Sequence, residues 1–499
     1  MSNYHDFPLT TFKNNQGKEN ENLLNDGYSS PKDSLHQRNG NAVSHDDEKE
    51  LFLNNSVRLD PGWEQTDRDP EELNFKKQLE DIEQNEPRDR WRLVFFIMLI
   101  HGVGILMPWN MFINAKAYFE DYKLDSNVTE VVQVRQNFMS YIGIAAQIPN
   151  VLMSGVNAFC HCTGQPSPRR IAISIAINII VFIVTVILAM VDSTEWPMGF
   201  FGLTLLSVII QSMCTGIYQN CVYGQAAILP MKYTNAVVLG NNLCGTFTAV
   251  VNIITIASAP SPRTAAIYYF VAAIVVLLVA FDAYFILPLT RFYKHFSKIV
   301  HLKQESLKKE QKNTGHKTFC QRMQGYWSVV KQIWVQIFCI FWIFFVTLAI
   351  FPAVWSNIKR NDFPISDTYW APIFCFLNFN LFAFLGNLVS EFIKVPGPRF
   401  VWIPVLLRGL FIPFFLMCNF NPASRTIPVI ITNDYVYIIG SAVMAFTGGY
   451  FSSLCMMYGP KQVNPEVAGV AGMLMGFFLV MGITIGVNFS LVLYAINSM

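Results

Sequence analysis

Long apolar runs, separated by short polar or proline-containing breaks, set the rhythm of this chain from residue 92 onward. Eleven of them approach or reach the roughly 20 residues that an α-helix needs to cross a bilayer. The pattern predicts spans at 92–114, 138–160, 171–191, 200–223, 236–257, 266–288, 333–355, 370–392, 400–418, 433–456 and 468–495. The expectation is an all-α polytopic membrane protein with a 6+5 arrangement. Six spans lie in a bundle over residues 88–288 and five in a second bundle over 333–499, with a basic linker at 289–332. Two helical bundles joined by a charged linker is a layout of carriers built from two halves.

Residues 1–87 lack this pattern. They are rich in Asn, Asp, Glu, Ser and Gly, and such a segment cannot bury enough apolar surface to offset its chain entropy, so a disordered tail is expected. It has no apolar h-region, so no cleaved signal peptide is expected. Glu19 followed by Leu23 and Leu24 fits an acidic dileucine pattern, through which sorting adaptors would divert the protein from the plasma membrane to endosomes or lysosomes.

Composition agrees with the pattern. The 499 residues are 52% hydrophobic and 14% charged, against about 25% charged in an average soluble domain. A formal net charge of +2 gives no case for nucleic acid binding. Basic residues are retained on the cytoplasmic side of membrane spans, and here they fall mostly on one side. Arg88, Arg90 and Arg92 precede the first span; Arg169 and Arg170, Lys232, the linker, Lys394 and Arg399, and Lys461 follow even-numbered ones. The N-terminus is therefore expected inside and the C-terminus outside. Asn127-Val128-Thr129 is then an N-glycosylation sequon in the first outside loop.

Polar groups inside the runs come next. Asn and Gln recur in most spans, and in hydrocarbon each must find a partner, either another helix or a ligand. Ionisable residues are scarcer: His101, Asp282, Glu391 and Arg408. Asp282 suits a proton site or a structural salt bridge, and Arg408 suits a gate closed by pairing with a carboxylate. Gly240 and Gly245 permit close helix approach; the Lys-Ser/Thr ending of a phosphate loop is absent around them. Cys160-His161-Cys162 has no second ligand pair nearby. No catalytic constellation is evident, so neither an enzyme nor a cofactor is expected. The predicted partners are the lipid bilayer and a small-molecule substrate.

The stretch PWNMFINAKAYF at 108–119 is similar to the first-span signature of the equilibrative nucleoside transporter family. Further pieces follow in that family's order: GIYQNCVYGQAAILPMKYTNAVVLGNNLCG at 216–245, FPAV at 351–354, CFLNFNLFAFLGN at 375–387, VPGPRFVWIPVLLRGLFIPFFLMCN at 395–419 and GGYFSSLCMMYGPKQVNPEVAG at 448–469. The resemblance implies an 11-helix relative of the major facilitator fold that moves nucleosides down their gradient by alternating access. It implies that Trp109 packs beside the base and that Ile113 lines the cavity one turn on. Gln147 and Asn150 would contact ligand from the second span, and Gln219 would hydrogen-bond the base. Phe376, Asn380, Ala383 and Asn387 would line the eighth span, Met481 would line the last, and Gly240 and Gly245 would tolerate little bulk. Pro108 would loosen the first helix for Trp109, while Asn110 points elsewhere and is expected to tie this helix to another.

One departure stands out. The family's eighth-span Asp and Arg, four residues apart, hold ribose hydroxyls; here the positions are Ala383 and Asn387. Losing both charges together leaves no uncompensated buried charge. It also removes a cationic fork, which opens an alternative reading as a carrier of nucleobases or organic cations, with or without proton linkage.

Overall fold

The computed structural model describes residues 77–498 apart from 78, 80, 83, 125–127, 137, 160–167, 259–260, 313–318, 423–424 and 427. Asn127, the Leu23-Leu24 pair and the Cys160-His161-Cys162 cluster lie outside the described residues. Leu73–Met499 forms one compact unit.

The apolar runs become helices: α1 Leu93–Asn114, α2 Phe138–Phe159, α3 Pro168–Met190, α4 Pro197–Ala227, α5 Met231–Ser258 and α6 Pro262–Ile286. The linker carries helix α7, Arg291–Lys312. Then come α8 Phe319–Ile350, α9 Asn378–Phe392, α10 Asp434–Tyr458 and α11 Pro465–Ser498. Proline opens α3, α4, α6 and α11, where its missing N–H has no helical partner to lose. Asp89 caps α1: its carboxylate accepts from the Val94 and Phe95 amides at 3.1 and 3.3 Å and from the Tyr233 hydroxyl at 3.0 Å, which fastens the start of α1 to the start of α5. Pro108 and Pro149 sit inside α1 and α2 without ending either helix.

Among the described residues, ten helices are long and apolar enough to cross a membrane, by length and composition, and no strand is present. The predicted ninth span differs. It is a shorter apolar stretch, Trp402–Leu416, in which Arg408–Leu410 forms a 3-10 turn between two six-residue α-helical pieces. The eighth span also departs from a plain helix. Asp367–Trp370 leads into a π-helical segment, Ala371–Leu377, before α9 begins.

The bundle wears its apolar surface outward. On α2, Ile144, Ile148, Leu152 and Val156, at intervals of four, are each more than half exposed, whereas Ser154 and Asn157 are buried. This is the inverse of a water-soluble helix, and a hydrocarbon environment removes its cost. The protein is an integral membrane protein.

The two bundles repeat the same pairings. In the first, α1 packs on α5 and α2 on α4; in the second, α8 packs on α11 and α9 on α10. Between them, α5 meets α9 and α10, and α11 meets α4 and α2. These four inner contacts bring polar residues of distant spans together.

Candidate functional site

The predicted substrate residues come from α1, α2, α4, the α9 segment and α11, and they divide into two groups. Trp109, Ile113, Gln147, Asn150, Phe376, Asn380 and Met481 are half-buried, neither sealed in protein nor turned to the exterior. Gln219 is almost enclosed, yet its side chain makes no hydrogen bond among the described residues. A buried amide without a protein partner has donor and acceptor capacity left for a ligand.

Several of these residues meet across the two bundles. Thr484 on α11 donates to Gln147 Oε1 on α2 at 3.2 Å. Asn380 Oδ1 occupies the volume that a β-carbon on Gly245 would fill, and its Nδ2 donates to the Phe376 carbonyl at 2.9 Å. Phe376, Asn380 and Gly245 therefore form one contact between α5 and the α9 segment. Asn150 lies against Gly216 of α4; a β-carbon there would sit 2.8 Å from Asn150 Oδ1, which is buried without a hydrogen-bond partner. Asn110 serves as scaffold, as its direction on α1 suggested: its Nδ2 donates to the Leu106 carbonyl at 3.1 Å and lies 3.6 Å from Cys244 Sγ on α5.

The second group is sealed. Ala383 and Asn387 are buried where α9 packs between α5 and α10, and Asn387 is 0% exposed. Asn387 Nδ2 donates to the Val238 carbonyl at 3.2 Å, and its Oδ1 accepts from Ser453 Oγ at 3.1 Å. A β-carbon on Gly449 would meet the Ala383 carbonyl, so α9 and α10 touch backbone to backbone at this point. In this conformation both residues are spent on helix packing and offer nothing to a ligand. In this conformation they do not line a cavity, the place the resemblance implied for them. The neutral Asn387 amide fits between the helices through these two hydrogen bonds.

The two charged candidates change as well. Arg408 is buried in the second bundle, and among the described residues it forms no ion pair with a carboxylate. Its Nη1 donates to the Met444 carbonyl at 2.8 Å and to Thr447 Oγ1, and its Nη2 donates to Thr347 Oγ1 at 3.0 Å. These bonds tie the 3-10 turn of the short helix to α8 and α10, all within one bundle, so the expected carboxylate pairing is not formed. Asp282 is exposed on α6. Gly240 keeps its predicted packing role: a β-carbon there would overlap the Leu99 carbonyl of α1 and come within 3.0 Å of the Gly102 Cα.

Sequence reasoning missed Thr484, Asn235, Ser390 and Ser453, the partners of Gln147 and Asn387. Thr484, Ser390 and Ser453 are small polar residues within apolar runs, and Asn235 stands just before one; such a residue signals a hydrogen bond without naming its other end. Among the described residues no group of three or more His, Cys, Asp or Glu side chains could hold a metal ion.

The nucleoside transporter family profile matches residues 205–495. Rat equilibrative nucleoside transporter 1 is 30% identical over 457 residues, which cover 83% of this chain and 99% of that protein. Human equilibrative nucleoside transporter 2 is 27% identical over 454 residues, covering 82% and 98% of the two chains. Among solved structures, a double-tryptophan mutant of XylE superposes with a TM-score of 0.54 at 14% identity, covering 78% of this chain and 86% of that one. XylE bound to 6-bromo-6-deoxy-D-glucose, a major facilitator superfamily proton:xylose symporter, gives 0.53 at 9% identity over the same shares. These last two likenesses establish the major facilitator fold alone, while the relatives match along nearly their whole length. The chain belongs to the nucleoside transporter family.

Proposed function

We propose that this protein carries nucleosides across the membrane by facilitated diffusion, with alternating access to a site between its two bundles. The observation that supports this most directly is Gln219, a nearly enclosed amide with no side-chain hydrogen bond among the described residues, on a helix that packs against the opposite bundle. An amide both donates and accepts, as the edge of a nucleobase requires. Trp109 supplies an apolar ring and an N–H beside it. Ile113 and Met481 add apolar lining, while Gln147, Asn150, Phe376 and Asn380 complete the ring of contacts. Ribose is held without the charged pair that Ala383 and Asn387 replace, so its hydroxyls bond to amides or water. The family profile and the rat and human relatives favour nucleosides and lend no weight to nucleobases or organic cations.

The moving bodies in this reading are residues 88–288 and 333–499, joined by the linker at 289–332. The N-terminus and linker are cytoplasmic, Asn127 carries the glycan outside, and the plasma membrane is the site of action. No catalytic step is involved.

Uptake of radiolabelled uridine and adenosine by cells expressing the chain tests the proposal. Saturable uptake is expected, with a half-saturation constant raised about tenfold or more in Gln219→Ala at equal surface protein, the effect of losing two buried hydrogen bonds. No saturable uptake of either nucleoside by protein demonstrated at the surface would defeat it.

A further inference from the structure

We infer that Asn235, Asn387 and Ser390 form a reversible latch between the two bundles, and that these residues set how long the carrier stays closed at one end. The inference rests on the alternating-access reading above. Asn235 Nδ2 on α5 donates to the Asn387 carbonyl of α9 at 3.3 Å, and Asn387 Nδ2 donates back to the Val238 carbonyl of α5 at 3.2 Å. Ser390 Oγ bridges the pair, 2.7 Å from the Asn387 carbonyl and 3.3 Å from Asn235 Oδ1. Asn235, Asn387 and Ser390 are all fully buried. Donors thus run in both directions across the seam, and Asn387 and Ser390, one turn apart on α9, clasp Asn235 and Val238, one turn apart on α5.

The backing is rigid. Asn387 Oδ1 is held by Ser453 of α10 at 3.1 Å, and β-carbons on Gly386 and Gly449 would overlap backbone across the α9–α10 interface. When the bundles separate here, α9 and α10 therefore leave as one body and the bonds to α5 are the ones that break. The end in question holds the start of α5 and the finish of α9, beside Lys232 and Lys394, and is the cytoplasmic end in the proposed topology.

The chemistry suits a contact that must open and close. Uncharged amides and hydroxyls exchange a protein partner for water at a small net change in free energy, whereas a buried ion pair would have to be rehydrated and desolvated in each cycle. Asn387 is thus a positioning residue in this chain: it acts on the balance between conformations and touches no substrate while the latch is closed.

The test is zero-trans uridine influx and efflux in cells or proteoliposomes carrying the full chain, with Asn235→Leu, which keeps the branched skeleton and removes the amide, and Ser390→Ala, which removes one hydroxyl. Weakening the latch depopulates every state closed at the cytoplasmic end. Apparent affinity scales with the fraction of carrier open to the substrate's side. The half-saturation constant for influx should rise about threefold in Asn235→Leu while that for efflux falls, with a smaller shift of the same signs in Ser390→Ala. A substrate-contact role would raise both constants, and loss of folded protein would lower maximal rates alone. Constants that move together, or stay unchanged, in the variants that reach the surface overturn the latch. Absence of saturable transport in the unmodified chain would instead overturn the nucleoside reading itself.

Discussion

Asn380 Oδ1 on α9 fills the space in which a β-carbon on Gly245 of α5 would lie, so the two bundles meet there with only hydrogen at the Gly245 α-carbon facing the amide. The obstacle is the end of a side chain and not backbone. Gly245→Ala is therefore expected to displace the Asn380 amide from its bond to Phe376 without unfolding the protein. Uridine uptake should show a half-saturation constant raised several-fold at unchanged surface amount. Adding Asn380→Ala frees that volume but also removes a proposed substrate contact, so the half-saturation constant should stay raised. Wild-type kinetics in the single variant would show that this contact bears on neither binding nor movement.

Gly240 and Gly102 give the opposite outcome. A β-carbon on Gly240 would overlap the Leu99 carbonyl, and one on Gly102 would overlap the Val237 carbonyl. Backbone oxygens in mid-helix cannot swing aside, so α1 and α5 must separate. Each alanine variant should lose about 1–3 kcal/mol of stability through overpacking. The checks are surface yield and thermal unfolding of purified protein in detergent; a melting temperature equal to that of the parent would contradict the prediction.

Arg408→Lys isolates the geometry of the guanidinium from its charge. A lysine ammonium cannot span Met444, Thr447 and Thr347 together, so the short helix loses anchorage to α8 or α10. Stability should fall by about 2 kcal/mol, the scale of one or two charge-assisted hydrogen bonds. Influx and efflux constants for uridine should both stay within twofold of the parent. If they diverge, Arg408 acts in gating after all.

Asp434 opens α10 and accepts the backbone N–H groups of Asn361, Asp362 and Phe363 at 3.0, 2.9 and 3.0 Å. Three amide donors on one carboxylate hold the loop after Lys359 against the helix end. Asp434→Asn puts an NH2 group among donors in one orientation and weakens every bond in the other. Trypsin should then cut after Lys359 or Arg360 about tenfold faster than in the parent, read by gel at constant enzyme. An unchanged cleavage rate would mean that the loop is held by Arg360 and its 2.6 Å pair with Asp367 instead.

Much of the architecture was legible in the chain because its causes are local. Apolar run length sets which segments reach across a bilayer, although four of the helices begin at a proline, Pro168, Pro197, Pro262 and Pro465, a few residues before the bounds that the runs predicted. Ordered motifs such as PWNMFINAKAYF and GGYFSSLCMMYG named the family before any contact was known. Even the division of labour in the first span was readable: a third of a turn separates Trp109 from Asn110, and Asn110 does reach toward α5. The ninth span escaped this reading, because apolar content between 400 and 418 says nothing of the 3-10 turn that Arg408 anchors in it.

The partners of the polar groups were decided only by the tertiary structure. Gln147 meets Thr484 across 337 positions, and Asn387 meets Val238 across 149. An amide in an apolar run announces that it needs a partner; which one it finds depends on how the helices are placed. The same placement turned Asn387 from an expected ligand contact into a seam between bundles and left Arg408 among hydroxyls and a carbonyl. Sequence by itself determined that this chain is a two-bundle membrane carrier of the nucleoside transporter family, since periodicity and motif are properties of neighbouring residues. Which of its polar residues pair across helices, and with which partner, was decided by the fold, since hydrogen bonds act over 3 Å whatever the distance along the chain.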